Sequence, residues 1–158
     1  MVCLGVLHHT DNCLLAIKSL LTNTVAKGGM LYVGLYHTHG RTPFLRYFED
    51  LKKQGASEEA LFTKYRELQS YLKDETHLRS WFRDQVLHPH ETQHTLVEVM
   101  EYLKDQNVTL LSTSLNRFQP IKDVAEVYAM EKGYEDLGLK ALAEKRYFPG
   151  FFTFLLKA

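Results

Sequence analysis

The hydrophobic positions of this chain form continuous apolar runs and helically spaced stripes in turn. Residues 1–7 and 30–36 are apolar almost throughout, and such runs are typical of strands buried on both faces of a parallel sheet. Between them, apolar residues recur at helical spacing from about residue 12 to residue 27. Asp11 is placed to cap the start of this helix, and Gly28-Gly29 ends it. The pattern predicts a right-handed β-α-β unit and an α/β fold.

The middle of the chain changes to helical stripes, which predict helices over residues 43–54, 57–72 and 75–87. A block of this length exceeds the ~2 to 6 residues that usually join a strand to a helix. We therefore interpret residues 42–94 as an inserted helical cap or a packing subdomain. The cap or subdomain belongs to a single domain that spans residues 1–158.

After residue 94 the pattern again predicts both helices and strands. Thr95 and Glu98 have the spacing of a capping box and predict a helix that ends near Asp105. The remaining segments are predicted as a third strand, two short helices and a last strand, over residues 108–115, 120–130, 137–145 and 151–156.

Composition narrows the classes of function. The chain has 158 residues with 19 Lys+Arg and 19 Asp+Glu, so it has no net charge with which to attract a nucleic acid. No apolar run approaches the ~20 residues that cross a bilayer, and no membrane association is predicted. The two cysteines, Cys3 and Cys13, follow no secretory leader, which indicates a cytoplasmic protein.

The densest group of potential metal ligands is His88-Pro-His90-Glu91-x-x-His94. Three imidazoles and a carboxylate are donors that zinc accepts. However, Pro89 favours an extended backbone at His88, and the HExxxH spacing differs from the i, i+4 spacing of a helical zinc motif. We therefore predict no metal site. Capping of the following helix is the structural alternative for these side chains.

The aromatic pairs Trp81-Phe82 and Tyr147-Phe148 are predicted to pack in the core of the helical block and beside the last strand. Stacking on an aromatic ligand is the alternative interpretation of these rings.

Four segments together resemble the second half of class I S-adenosylmethionine-dependent methyltransferases. They are GVLHHTDN at residues 5–12, KGGMLYVGLY at 27–36, LHPHETQHTLVEV at 87–99 and PGFFTFL at 149–155, in the order of that family. The resemblance implies a partial Rossmann-like methyltransferase sheet of about four strands, the last of them antiparallel, with a helical insertion. It also implies S-adenosylmethionine as the cofactor and methyl transfer to an acceptor, expected to be a small molecule.

The sequence departs from the family at its N-terminal end. The glycine-rich turn and the acidic residue that holds the ribose have no counterpart. We therefore expect a truncated or split methyltransferase whose activity needs the missing part. The first strand then lies at an open sheet edge, which we expect to recruit a chain carrying the N-terminal half or a second copy of this chain. The alternative is a noncatalytic interaction module that no longer binds S-adenosylmethionine.

The resemblance also assigns candidate site residues at the end of the first strand. His8 and His9 lie where the family contacts its acceptor, and the ordinary histidine pKa of about 6.5 suits a catalytic base at neutral pH. Helix capping is the structural alternative for this pair. The backbone of Leu4, Gly5 and Val6 is expected to meet the cofactor.

Substrate contacts are expected from two other places. Tyr36 and His37 leave the second strand at the edge where open α/β sheets bind ligands, and Gly40-Arg41 is predicted as a turn after them. The family's loop before the later helix suggests a lid over the acceptor, formed by His88, His90, Glu91 and His94.

Overall fold

The structure is a computed structural model that describes residues 1–69, 71–87 and 90–158, and these residues contain a four-stranded mixed sheet. The strands are β1 Val2–Leu4, β2 Met30–Tyr36, β3 Thr109–Thr113 and β4 Phe151–Lys157. Their order across the sheet is β1-β2-β4-β3. β1 runs parallel to β2, with Cys3 opposite Val33, whereas β4 is antiparallel to both of its neighbours. The predicted α/β class, with about four strands and an antiparallel last strand, is confirmed.

Helices connect and cover the strands. The described helices are α1 Cys13–Asn23, α2 Thr38–Lys53, α3 Glu58–Leu68, α4 Glu75–Phe82, α5 Leu96–Tyr102, α6 Val124–Met130 and α7 Gly133–Ala143. Two 3₁₀ turns, Leu7–His9 and Ser114–Asn116, follow β1 and β3, and α4 continues into a π-helical segment over Arg83–Leu87. Every helix in the described part of the chain is too short or too polar to span a membrane.

Side-chain caps explain where two of the predicted helices begin. Asn12, rather than Asp11, caps α1, because its side-chain oxygen accepts a backbone N–H from the first turn at 2.9 Å. Thr95 caps α5 as predicted, with an N–H to oxygen distance of 3.1 Å. The Glu98 carboxylate of the predicted capping box contacts His94 Nδ1 instead, at 3.1 Å.

One hydrophobic cluster lies between the sheet and the helices that cover it. Buried aliphatic side chains dominate this sheet cluster, which also includes Phe152 and Phe154 of β4. Alternate residues of β4 are fully buried, as a strand with one face on a core requires. Ile17 of α1 and Leu96 of α5 are also fully buried against this cluster. Their burial supplies the main stabilisation of the sheet.

A second hydrophobic cluster lies within the helical block and is mainly aromatic. Its buried members are Phe44, Phe48, Leu61, Phe62, Tyr65, Leu68, Leu78, Phe82 and Val86. Leu142 and Tyr147, from outside residues 42–94, pack against the same cluster. The assignment of residues 42–94 as an insertion within one domain stays a prediction.

Three sequence-based assignments between residues 38 and 87 are wrong for local reasons. α2 begins at Thr38 rather than at residue 43, because His37 caps it by accepting the Gly40 N–H at Nδ1, 3.3 Å away. The predicted turn at Gly40-Arg41 therefore lies inside the helix. The predicted helix over residues 75–87 changes to π-helical geometry at Arg83.

β1 is shorter and more exposed than the apolar run predicts. Within the described residues it pairs only with β2, and Val2 and Leu4 are 67% and 44% exposed. Met1 and Val6 extend the exposed apolar row on both sides of the strand. The prediction of a strand buried on both faces is wrong here, because continuous apolarity does not reveal whether a neighbouring strand is present. The open edge is the feature that was predicted to recruit a partner.

Candidate active site

A cavity of about 590 Å³ lies where the carboxyl ends of β1 and β2 face the helical block. The sheet side contributes Leu4, Gly5, His8, His9, Tyr36 and Phe151 to its walls. The helical block contributes Gln69, Tyr71, Leu72, Trp81, Asp84 and Gln85, and the segment before β4 contributes Tyr147 and Pro149. The walls are therefore mainly apolar and aromatic with a few polar groups, as in sites for small molecules.

His8 and His9 lie on the 3₁₀ turn after β1, and both line the cavity. His8 is buried and packs against Tyr36 with ring centroids 4.3 Å apart and the rings tilted by 39°. Its Nδ1 has no hydrogen-bond partner among the described residues. His9 Nδ1 lies 3.0 Å from the carbonyl oxygen of His90. Because a carbonyl only accepts, this contact favours the tautomer of His9 that carries its proton on Nδ1.

The protonation state of His8 differs from the sequence-based expectation. Burial, with a smaller contribution from the neighbouring His9, lowers the pKa of His8 from 6.5 to about 4. His8 is therefore neutral at pH 7 and is a weaker base than an exposed imidazole. The catalytic role of His8 stays a prediction, and the neutral ring is able to hydrogen-bond a ligand.

Tyr36 ends β2 and belongs to a buried polar network along one wall of the cavity. Gln85 Nε2 donates to the Tyr36 hydroxyl oxygen at 2.6 Å, and Gln85 Oε1 accepts the Tyr147 hydroxyl at 2.7 Å. The guanidinium of Arg41 lies 4.1 Å from the centroid of the Tyr36 ring, and its Nη1 donates to Gln85 Oε1 at 3.1 Å. The network joins β2, α2 and the π-helical segment.

The charge of Arg41 is fully buried and is matched by Glu91. Arg41 Nε and Nη2 donate to the two carboxylate oxygens of Glu91 at 2.9 and 2.8 Å, which is a bidentate pair. Nη2 also donates to the backbone carbonyl of Gln85 at 3.0 Å. Such a pair holds its partners in one geometry, because breaking it leaves an uncompensated buried charge.

The loop over residues 90–94 is tied to the strand ends. The Thr92 N–H donates to the His8 carbonyl at 2.8 Å, and the His94 N–H donates to the Tyr36 carbonyl at 3.0 Å. The Thr38 N–H donates in turn to the His94 carbonyl at 3.2 Å. The loop therefore fixes the positions of His8 and Tyr36 from behind the cavity wall.

His90, Glu91 and His94 do not line the cavity, and their predicted substrate contacts stay a prediction. His90 is exposed, with Nε2 3.2 Å from the Thr10 carbonyl, and Glu91 binds Arg41. The His94 ring bridges Glu98 and Thr92. His88, the fourth predicted member, lies outside the described residues. Within the described part of the chain, no group of His, Cys, Asp and Glu is arranged to hold a metal ion.

His37 is also placed away from the cavity. It is fully buried, and its Nε2 donates to Glu131 Oε2 at 2.7 Å. The Glu131 carboxylate also accepts the backbone N–H groups of Leu96 and Val97, at 2.5 and 3.1 Å. Through Glu131, His37 therefore joins the start of α2 to the start of α5 and the end of α6. Its predicted substrate contact stays a prediction.

Comparison with solved structures places this fold among methyltransferases. Two structures of PKMT2, a methyltransferase from Rickettsia typhi, match the chain with TM-scores of 0.61 and 0.60 at 15% sequence identity. The second is a complex with AdoHcy. Each match covers 98% of this chain and 34% of the PKMT2 chain, so the chain spans about a third of that protein's length. No protein-family model matches the sequence, and no curated protein does. The chain therefore has a methyltransferase-like α/β fold over the part that these structures share with it.

The residues predicted to meet the cofactor divide into two groups. Leu4 and Gly5 line the cavity, whereas Val6 is exposed and does not. Gly5 has a φ of +70°, and a Cβ at this position would meet no atom within 4 Å. The backbone at the end of β1 is therefore open to a ligand, which fits one side of a cofactor site.

Sequence reasoning missed Arg41, Gln85 and Gln69 as site residues. One signal was present for Arg41: residues 41, 44 and 48 share one helix face, so a helix beginning at residue 38 places this arginine beside Phe44 and Phe48. The inward position of Gln85 depends on the π-helical segment, which no local pattern in the sequence reveals.

Proposed function

We propose that this chain forms the acceptor side of an S-adenosylmethionine-dependent methyltransferase that acts on a small molecule. The observation that carries the proposal is the mainly apolar cavity of about 590 Å³ at the carboxyl ends of β1 and β2, within a methyltransferase-like fold. Open α/β sheets bind ligands at this edge, and the cavity has the size and composition of a small-molecule site.

S-adenosylmethionine is the proposed cofactor, and it supplies a methyl group on a positively charged sulfur. The AdoHcy complex of PKMT2 supports this choice. In this chain, the backbone at Leu4 and Gly5 is the proposed contact of the cofactor, because it combines exposure with a position on the cavity wall. Val6 is proposed to contact the cofactor only at the outer rim of the site.

The cavity side chains are proposed to orient the acceptor and to exclude water. The neutral imidazole of His8 hydrogen-bonds the acceptor through its buried Nδ1. His9 is the proposed base, because it lies at the end of β1 and lines the cavity beside His8. Alignment of the acceptor with the methyl group is the main contribution expected from the protein.

We further propose that the open edge of β1 pairs with a strand of another polypeptide that completes the cofactor site. The exposed apolar row of Met1, Val2, Leu4 and Val6 supports this pairing, since such edges bind strands. The partner is a chain that carries a glycine-rich first half, and a second copy of this chain is the alternative. A cytoplasmic location is part of the proposal, because Cys3 and Cys13 are free thiols.

Isothermal titration with AdoHcy tests the proposal. We expect little binding by this chain alone and clear binding after co-expression with a methyltransferase first half that carries the glycine-rich turn. Tight binding by the chain alone would support the methyltransferase and contradict the need for a partner. Absence of binding in both samples would contradict the function.

A noncatalytic interaction module is the second candidate, favoured by the exposed β1 edge. It predicts that the chain binds a partner polypeptide without acquiring affinity for AdoHcy. Sedimentation of the mixture, run beside the titration, separates the two candidates because it reports assembly independently of cofactor binding.

A further inference from the structure

The amide of Gln85 has a fixed orientation at the cavity wall. Arg41 carries only donors, so the atom of Gln85 that faces Arg41 Nη1 at 3.1 Å must be the carbonyl oxygen Oε1. The Tyr147 hydroxyl donates to the same oxygen at 2.7 Å. The Nε2 end of the amide therefore points to the Tyr36 hydroxyl, 2.6 Å away.

This orientation determines what the Tyr36 hydroxyl can offer. Its oxygen already accepts the Gln85 N–H, so its own O–H remains as a donor, and it donates to no acceptor among the described residues. Burial raises the pKa of Tyr36, which keeps the phenol protonated. A buried donor without an acceptor is unfavourable, and an oxygen of a ligand in the cavity removes that cost.

The charge of the cavity walls favours a neutral oxygen on the ligand over a charged one. Asp84 is the one acidic or basic residue other than histidine among the described residues that line the cavity. The nearby positive charge of Arg41 is already paired with Glu91. A carboxylate ligand would therefore face Asp84 without a compensating cation, whereas a neutral carbonyl oxygen would not.

Two further buried polar atoms of cavity residues lack hydrogen-bond partners among the described residues. They are His8 Nδ1, on a ring that packs against Tyr36, and one end of the Gln69 amide, whose other end contacts the Tyr65 hydroxyl at 2.9 Å. Both residues are almost fully buried and line the cavity. Unsatisfied polar groups of cavity residues indicate a ligand that presents polar atoms to them.

We infer that the Tyr36 hydroxyl, held by Gln85 and Arg41, recognises a neutral carbonyl or amide oxygen of the methyl acceptor. This inference rests on the proposed function, because it takes the cavity to be the acceptor site. Tyr36 touches the ligand directly, while Gln85 and Arg41 act as positioning residues.

The test compares acetophenone with α-methylstyrene, in which a methylene group replaces the carbonyl oxygen. Trp81 is the single tryptophan of the chain and lies on the cavity wall, so its indole N–H resonance reports binding. We expect acetophenone to bind more tightly than α-methylstyrene. The ratio of the two affinities should fall about three- to tenfold in Tyr36→Phe. Tyr102→Phe, which removes an exposed hydroxyl on α5, is the matched control and should leave the advantage unchanged.

A spectroscopic measurement tests the hydrogen bond and its positioning. The carbonyl ¹³C resonance of labelled acetophenone should move downfield on binding to the wild-type protein and return toward its free position in Tyr36→Phe. Gln85→Met should give an intermediate shift, because the phenol then loses its fixed orientation. A purely structural role of Gln85 would leave the shift of bound acetophenone unchanged, which would overturn the positioning role.

Three outcomes would overturn the inference. They are an unchanged preference in Tyr36→Phe, benzoate binding as tightly as acetophenone, and no response of the Trp81 indole to either aromatic probe at millimolar concentration. AdoHcy is absent from these titrations. Failure of the proposed cofactor binding is therefore observed separately from failure of carbonyl recognition.

Discussion

The sheet cluster and the helical-block cluster are built from different side chains. The sheet cluster is mainly aliphatic, whereas the helical-block cluster is mainly aromatic. The polar groups of the candidate site lie where the two regions meet: Tyr36 belongs to the sheet, Gln85 to the helical block, and Arg41 to the helix between them. The comparison indicates that the sheet supplies a scaffold, while the polar groups of the candidate site depend on the junction between the regions.

Arg41 is the residue whose loss should affect this junction most. Arg41→Met removes the partner of the buried Glu91 carboxylate, so we expect the free energy of unfolding to fall by about 3 to 5 kcal/mol. Urea denaturation measures the change. Lys53→Met breaks an exposed pair with Glu49 on the same helix and should change stability little. Equal losses in the two variants would contradict the structural role of the buried pair.

Gly150 tests the contact between the start of β4 and the start of α2. It has a φ of +64°, and a Cβ would overlap the backbone of Gly40 and Arg41. We expect Gly150→Ala to cost about 3 kcal/mol in urea denaturation, from backbone strain and overlap together. Gly55 has a φ of +82° with open space around it, so Gly55→Ala should cost only the strain, about 1 to 2 kcal/mol. A smaller loss at Gly150 than at Gly55 would show that the two elements are not in close contact.

The low pKa of His8 makes stability depend on pH. In the folded protein the His8 ring takes up a proton only near pH 4, whereas in the unfolded chain it does so near pH 6.5. The free energy of unfolding is therefore not reduced by His8 above pH 6.5. It decreases as the pH falls from 6.5 to about 4, because the proton binds the unfolded chain more tightly. The melting temperature of His8→Gln should fall less over this range than that of the wild type. His77→Gln, on the exposed face of α4, is the control. A His8 ring resonance that titrates near pH 6.5 by NMR would contradict burial of this ring.

Removing a helix cap should have the smallest effect on stability, and the effect should be equal in the two regions. Asn12 caps α1 beside the sheet, and Ser57 caps α3 in the helical block, each with a side-chain oxygen that accepts a backbone N–H. Asn12→Ala and Ser57→Ala should each lower the free energy of unfolding by about 1 kcal/mol in urea denaturation. A clearly larger loss at either site would indicate that the cap also supports packing in its region.

The sequence was sufficient for the sheet region because local patterns decide its elements. The apolar run over Met30–Tyr36 has the bounds of β2, and the Thr95 cap places the start of α5. The exposure of β1 was not predictable, because an apolar run has the same appearance in a central strand and in an edge strand.

The candidate site was only partly predictable because long-range contacts build it. His8, His9 and Tyr36 were predicted from their positions at strand ends, and all three line the cavity, while their roles stay predictions. In contrast, Arg41 and Glu91 are 50 residues apart in sequence, and no periodic pattern links them. The substrate contacts predicted for the histidines of the 90–94 loop stay a prediction, because composition does not reveal which way a side chain points.

The most direct test of the account is an NMR titration of the assembly that binds AdoHcy, first with AdoHcy and then with acetophenone. We expect AdoHcy to shift the backbone N–H resonance of Gly5 at the end of β1 and acetophenone to shift the indole resonance of Trp81 on the opposite wall. Both ligands should perturb the Tyr36 ring between these positions. Perturbations confined to residues outside the cavity would contradict the claim that the junction of the two regions is the methyl-transfer site.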